Sequence, residues 1–161
     1  MIVVSNATPL IGLARIGRLA LLNDLFGTLL VPHAVYAEVV GAAPDRPGAE
    51  EVQRAAWIEP RTLADRTPVD YLRADLDSGE AEVLVLARTT AADLVLLDEP
   101  KARLAAELLG LRYVGTVGIL VLAKQRGLVD RVSPLLDDLI ARRFHLSGRV
   151  YRAVLERVGE D

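Results

Sequence analysis

Asp77-Ser78-Gly79-Glu80-Ala81-Glu82-Val83-Leu84-Val85-Leu86-Ala87, a short polar break, then Leu94-Val95-Leu96-Leu97-Asp98-Glu99: this stretch decides the fold. An acidic start runs into an apolar helix, and the apolar strand after it ends on an acid. Asp77 or Ser78 is a suitable N-cap for a helix reaching about Thr89, and Asp93 to Leu97 reads as a buried strand. In an open parallel sheet, helix starts and strand ends share one edge, so Glu80 and Asp98 are expected on the same rim.

Towards the N-terminus, Ile2-Val3-Val4 is a short β-branched run suited to a strand buried on both faces. Ser5-Asn6-Ala7-Thr8-Pro9 ends it and opens a helix, with Thr8 as the expected N-cap and Pro9 at the first helical position. Gly17 closes that helix, and a second, from Leu19 to Phe26, ends at Gly27. Leu29 to Val31 is the next strand, followed after Pro32 by a helix over Ala34 to Val40. Ala42 to Gly48, rich in proline and glycine, reads as a surface loop. A helix over Glu50 to Ala56, a strand at Trp57-Ile58, a loop over Arg61 to Thr67 and a short helix over Val69 to Leu76 complete this half.

Towards the C-terminus, a helix over Lys101 to Leu109 is stopped by Gly110. Arg112-Tyr113-Val114 is the last core strand, and Gly115-Thr116 lead into a helix over Val117 to Arg126. Two amphipathic helices, Leu135 to Arg142 and Val150 to Val158, follow. Strands alternating with helices imply an α/β protein whose parallel sheet is covered on both faces. The apolar stretches Val117 to Ala123 and Leu135 to Ile140 either complete the core or form a dimer face; the core is favoured, because helices covering such a sheet must bury one stripe.

The 161 residues are expected to form one domain, 1–161, with its C-terminal helices from about residue 131. With 52% hydrophobic and 25% charged residues, the chain is of the folded rather than the disordered class. It has no cysteine, which excludes disulfides, thiolate metal sites and a cysteine nucleophile, and suits a reducing cytosol. The net charge of -3 offers polyanions no general attraction, so nucleic-acid binding would need a local basic patch. The first residues lack a basic n-region and cleavage site, and no apolar run approaches the ~20 residues of a membrane span. A soluble, cytoplasmic protein is expected.

Four polar side chains fall on the functional rim. Asn6 follows the first strand, Asp98 follows the fourth, Glu80 opens a helix, and Glu38 lies on a helix that begins just after a strand. Three carboxylates and an amide oxygen would make an all-oxygen site suited to Mg²⁺ or Mn²⁺, which is the chemistry of phosphodiester hydrolysis. Each residue also has a plainer role: Glu80 with Asp77 fits a capping box, Glu38 fits a solvated helix face, Asp98 fits a helix cap, and Asn6 fits a turn. Ser5 and Thr8 are placed to hold substrate, although for Thr8 the cap is favoured. Lys101 and Arg103, one turn beyond Asp98, are candidates for phosphate contacts that position a strand without reading it; paired with Glu99 and Glu107 they would be a solvated face instead. For Arg15 the solvated face is favoured. His33 and His145 have no metal-ligand spacing, and no Gly-rich phosphate loop is present.

Taken together, these segments resemble a PIN domain, and more narrowly the PIN-like branch of bacteria and archaea related to VapC-type toxin ribonucleases. The resemblance is carried by Val3-Val4-Ser5-Asn6-Ala7-Thr8-Pro9-Leu10-Ile11, Val31-Pro32-His33-Ala34-Val35-Tyr36-Ala37-Glu38-Val39, Asp77-Ser78-Gly79-Glu80-Ala81-Glu82, Leu96-Leu97-Asp98-Glu99 and Gly115-Thr116-Val117-Gly118-Ile119-Leu120, with a similar C-terminal helix. It implies a three-layer α/β/α sandwich around a central, mostly parallel sheet. It also implies Mg²⁺- or Mn²⁺-dependent cleavage of single-stranded RNA, with Glu38, Glu80 and Asp98 catalytic and Asn6 completing the ligands. Many such proteins are dimeric toxins restrained by an antitoxin protein. Asn6 stands where the family has an acid, which removes one negative charge, and Glu80 stands for the more usual aspartate. Two functions are therefore carried forward: a metal-dependent endoribonuclease, and a catalytically weakened PIN-like module that binds a partner protein or RNA.

Overall fold

Val3, Val4, Leu29, Val31, Val95 and Leu96 are all sealed from solvent, as befits strands covered on both faces. They form the centre of a five-stranded sheet in a computed structural model that describes residues 1–41 and 48–161. The strands are β1 (Val3–Ser5), β2 (Leu29–Pro32), β3 (Ile58–Arg61), β4 (Leu94–Leu96) and β5 (Tyr113–Val114). Their order is β3-β2-β1-β4-β5 and every pairing is parallel. The α/β sandwich expected from the sequence is what forms, with the sheet wholly parallel. The chain runs outward from β1 to β3, then returns to pair β4 on the other side of β1. The order reverses there, so the carboxyl ends of β1 and β4 flank a topological switch point, where such sheets bind ligands.

Helix α1 (Ala7–Arg15) begins one residue before Thr8, so Thr8 is not the cap. Asn6 holds the N-cap position in extended backbone, but its side chain does not cap. Pro9 is accommodated because the first-turn N–H groups have no intrahelical partner in any case. Helices α2 (Ala20–Phe26) and α3 (His33–Gly41) follow the sequence reading closely. The expected surface loop falls almost entirely on residues 42–47, outside the described residues. After α4 (Ala49–Arg54), β3 takes in Glu59, Pro60 and Arg61, which the sequence assigned to no strand. These residues are exposed on an edge strand, so they lack the apolar signature, and an edge tolerates proline. Helix α5 spans Thr67–Leu72 with Pro68 in its first turn, ending earlier than expected.

Helix α6 (Ser78–Thr89) is as read, and every residue from Glu80 to Ala87 is buried. It packs on β1, β2 and β4. Helices α7 (Pro100–Leu108), α8 (Thr116–Gln125), α9 (Ser133–Ala141) and α10 (Gly148–Val158) complete the layers. Ile119, Leu120 and Ala123 of α8, and Leu136 and Leu139 of α9, lie in the core, so these helices bury one stripe as expected. No helix among the described residues is long and apolar enough to cross a membrane.

The end of the chain is fastened by Glu160. Its carboxylate accepts from Lys124 Nζ at 2.8 Å, from Val132 N at 2.7 Å and from Ser133 N at 3.0 Å. Lys124 Nζ also donates to Val158 O at 2.8 Å. One acid therefore joins α8, the start of α9 and the end of α10, at a helix N-terminus where negative charge is favoured. Burial raises its pKa, but Lys124 and the two backbone N–H groups outweigh that and hold it at about 2, against an ordinary 4.5. A depressed carboxylate pKa stabilises the fold above the unfolded value and loses that effect as pH falls through the folded one. Glu160→Gln should lower stability at pH 7, and the gap to the parent should close between pH 4.5 and about 2, as read by urea unfolding across that range.

Candidate functional site

At the switch point, Asn6 N donates to Leu96 O at 3.0 Å, which fixes the residue after β1 beside the end of β4. Asn6 is only 8% exposed. Leu97 N donates to Val114 O at 2.9 Å, carrying the ladder one residue past β4 and delivering Asp98 to the start of α8. There Asp98 Oδ1 accepts from Thr116 N at 2.9 Å and Oδ2 from Thr116 Oγ1 at 2.7 Å. The acid caps α8, not the helix directly after it, α7, whose N-cap Glu99 makes no side-chain cap bond.

Arg103 turns back from α7 onto the same acid. Its Nε donates to Leu97 O at 2.9 Å, Nη2 lies 3.6 Å from Asp98 Oδ1, and the guanidinium sits 5.4 Å from the centroid of the Tyr113 ring. The group is thus held by a carbonyl, a carboxylate and an aromatic face at once. Gly115 makes room for it: a Cβ there would lie 2.7 Å from Asp98 Oδ1 and overlap the Arg103 guanidinium.

Glu80 occupies the first turn of α6, 9% exposed. Asp77 Oδ1 accepts from Glu80 N at 2.8 Å, and Glu80 Oε1 accepts from Asp77 N at 3.2 Å, completing the capping box. Burial pushes the Glu80 carboxyl above its ordinary value; the bond from Asp77 N opposes this, and the negative charges of Asp77 and Glu99 add to it. Between Glu80 and Asn6 lies Gly79, where a Cβ would stand 3.5 Å from Asp77 Oδ1, 3.5 Å from Val35 and 3.9 Å from Asn6 Oδ1. The start of α6, the Asn6 amide and α3 therefore meet at one rim. Glu38, one turn beyond Val35 on α3, is exposed.

The other candidates separate. Ser5 is sealed, and its hydroxyl donates to Asn6 O at 2.9 Å, so it serves the backbone. Thr8 lines a cavity with Ile11, Gly12 and Arg15. Lys101 lines a groove with Tyr71, Leu72 and Leu104, away from Asp98, so only Arg103 of the basic pair turns to the acid. Glu82, two residues past Glu80, is buried and paired with Arg66 at 2.7 Å.

In kind, the donors at this rim suit a hard divalent cation: all are oxygen, and the buried, negatively flanked Glu80 is a place where positive charge relieves repulsion. In arrangement, Glu80 and Asp98 each have local partners, and among the described residues no three histidine or acidic side chains are grouped as around one ion. A shared ion requires Glu38 to swing in from solvent and competes with Thr116 for Asp98. The sequence did not reveal the partnership of Thr116 and Arg103 with Asp98; the glycine before a helix-opening threonine, at the end of a strand, was its one visible sign.

A family model described as a PIN domain matches residues 2–160. The chain belongs to the PIN-domain family, a nuclease-type family. No curated protein and no solved structure matches it.

Thr116→Val keeps the backbone donor to Asp98 and removes the hydroxyl. Losing a hydrogen bond to a charged group should cost about 1.5–3 kcal/mol, seen as a lower urea midpoint with an unchanged slope.

Proposed function

We propose that this protein is a metal-dependent endoribonuclease acting on single-stranded cytoplasmic RNA, as the toxin of a toxin–antitoxin pair. The observation that supports the proposal is that, in a PIN-family chain, Asn6 directly follows β1, Asp98 follows β4 at the switch point between them, and the buried Glu80 opens α6 one residue past Gly79, which faces Asn6. Asn6, Glu38, Glu80 and Asp98 would hold Mg²⁺ or Mn²⁺, with the last three catalytic. When bound, the ion supplies positive charge to the phosphoryl group and lowers the pKa of water for attack on phosphorus.

The chain's own residues prepare that site. The capping box uses Oε1 of Glu80 and fixes the side chain at the rim. Thr116 fixes both oxygens of Asp98, and Arg103 places a cation beside it that can also meet a phosphate. Thr8 and Lys101 are proposed as further substrate contacts; Ser5 supports Asn6 from behind rather than touching RNA. Asn6 offers an oxygen without charge, which lowers affinity for the ion relative to a carboxylate.

A second reading, a weakened PIN-like module that works by binding, is favoured by the groove between α5 and α7. Tyr71 is 80% and Leu108 81% exposed there, beside Leu104. Its occupant is proposed to be a second copy of this chain. Asp75 and Lys101 line the same groove, so a two-fold contact that brings one against the other would form the opposite-charge pair twice.

Two paired tests follow. Asp98→Asn should abolish Mn²⁺-dependent cleavage of single-stranded RNA, while Asn6→Asp should tighten Mn²⁺ binding in calorimetry by restoring the missing charge. Undiminished cutting by the first variant overturns the nuclease, and unchanged affinity in the second removes Asn6 from the ligands. For the groove, Leu108→Asp should convert a dimer to a monomer in sedimentation equilibrium; a parent that is monomeric throughout, or a variant that stays dimeric, refutes the two-fold contact.

A further inference from the structure

A cavity of about 230 Å³ opens between α1 and the end of α9, lined by Thr8, Ile11, Gly12 and Arg15 on one side and by Leu139, Arg142 and Phe144 on the other. Neither the proposed ion ligands nor the groove uses it. Its floor at Gly12 rests against Thr116, a residue of the candidate site. A Cβ at Gly12 would lie 3.7 Å from Leu139, 3.7 Å from the Thr116 methyl and 3.8 Å from Phe144, and the Thr116 hydroxyl is the one that donates to Asp98. One side chain thus separates the cavity from the acid.

The chain beyond α9 is shaped to place Phe144 there. Arg143 adopts φ +68°, a backbone conformation ordinarily left to glycine. Phe144 N then donates to Leu139 O at 2.9 Å, so the chain folds back and lays the ring towards α1. Arg142 Nε donates to Asp138 Oδ1 at 3.1 Å, a pair half open to water, and Arg15 is half-buried on the facing helix. The charge here runs against the whole chain: residues 142–157 carry five arginines and one acid, while the net charge is -3. Of these arginines Arg142 lines the cavity, with Arg15 from the facing helix, and these two guanidinium groups are the positive charge that can hold a polyanion there.

An aromatic ring and guanidinium groups around a recess are what single-stranded RNA sites use: the ring stacks an unpaired base, and the arginines take the phosphate. We propose that this cavity is a nucleotide subsite that holds one splayed base of single-stranded RNA against Phe144. Arg15 and Arg142 hold its phosphate, and the strand leads past Thr8 towards Asp98. The subsite deepens the ribonuclease proposal by assigning the path of its substrate, and rests on that proposal for the identity of the polymer. A recess for one base excludes duplex, whose bases stay paired and stacked.

The test is fluorescence anisotropy of a labelled oligouridylate with the full chain in EDTA, so that binding is read without cleavage. The Arg15→Gln/Arg142→Gln double variant should bind at least ~10-fold more weakly, with a salt slope smaller by about 0.7 for each phosphate that is no longer neutralised. Phe144→Leu should weaken binding about tenfold at an unchanged slope, and Phe144→Tyr, which keeps a ring, should bind like the parent; urea unfolding confirms that each variant is folded. A double variant that binds undiminished, a parent that does not bind the oligouridylate, or equal affinity for a duplex of the same length overturns the subsite. An Asp98→Asn variant that still cleaves overturns the nuclease and leaves the subsite standing.

Discussion

Helix α6 is sealed through its whole middle, from Glu80 to Ala87. A helix so deeply set still begins with N–H groups that lack intrahelical partners, and at its half-buried first turn solvent reaches them only in part. The chain answers with its own acids: Asp77 and Glu80 satisfy each other's backbone, at the rim where the helix meets the sheet. The acids at the start of α6 thus serve helix initiation directly. Glu80 is held in place by helix initiation and, in the same geometry, is desolvated beside further negative charge.

Asp98 is placed by the opposite logic. It is surrounded by donors: a backbone N–H and hydroxyl from Thr116, with a guanidinium further out. Two acids at one switch point therefore live in contrasting surroundings, one short of positive partners and the other well supplied. Sites that divide labour between carboxylates are built from such contrasts. Arg103 links this arrangement to the outer strand through Tyr113, so the electrostatics of the rim depend on β5 packing as well as on β4.

The four strands other than β3, α6 and the rim positions of Asn6, Glu80 and Asp98 were legible because burial on two faces writes continuous apolar runs, and an acid just after such a run has few other places to go. Thr8 misled, because a residue with good cap chemistry stood two places past the residue that fills the cap position. β3 was legible only at its first residue, since an exposed edge strand containing Pro60 carries no buried pattern. Long-range partnerships left little trace: Asp98 finds Thr116 18 residues away, and Glu160 finds Lys124 36 residues away. The cavity joining Arg15 to Arg142 lies further still from anything local periodicity can register.

The central position of β1 also governs how this chain is made. Its second neighbour, β4, is encoded some ninety residues downstream, and Ile2 N waits for Asp93 across a separation of 91 positions. As the nascent chain leaves the ribosome, the innermost strand has one edge uncovered until more than half of the protein has emerged. Non-local pairing of this sort slows folding and exposes sticky edges while it lasts. Fusion partners or chaperones that shield the first thirty residues would therefore act on the yield of folded protein without touching its final stability.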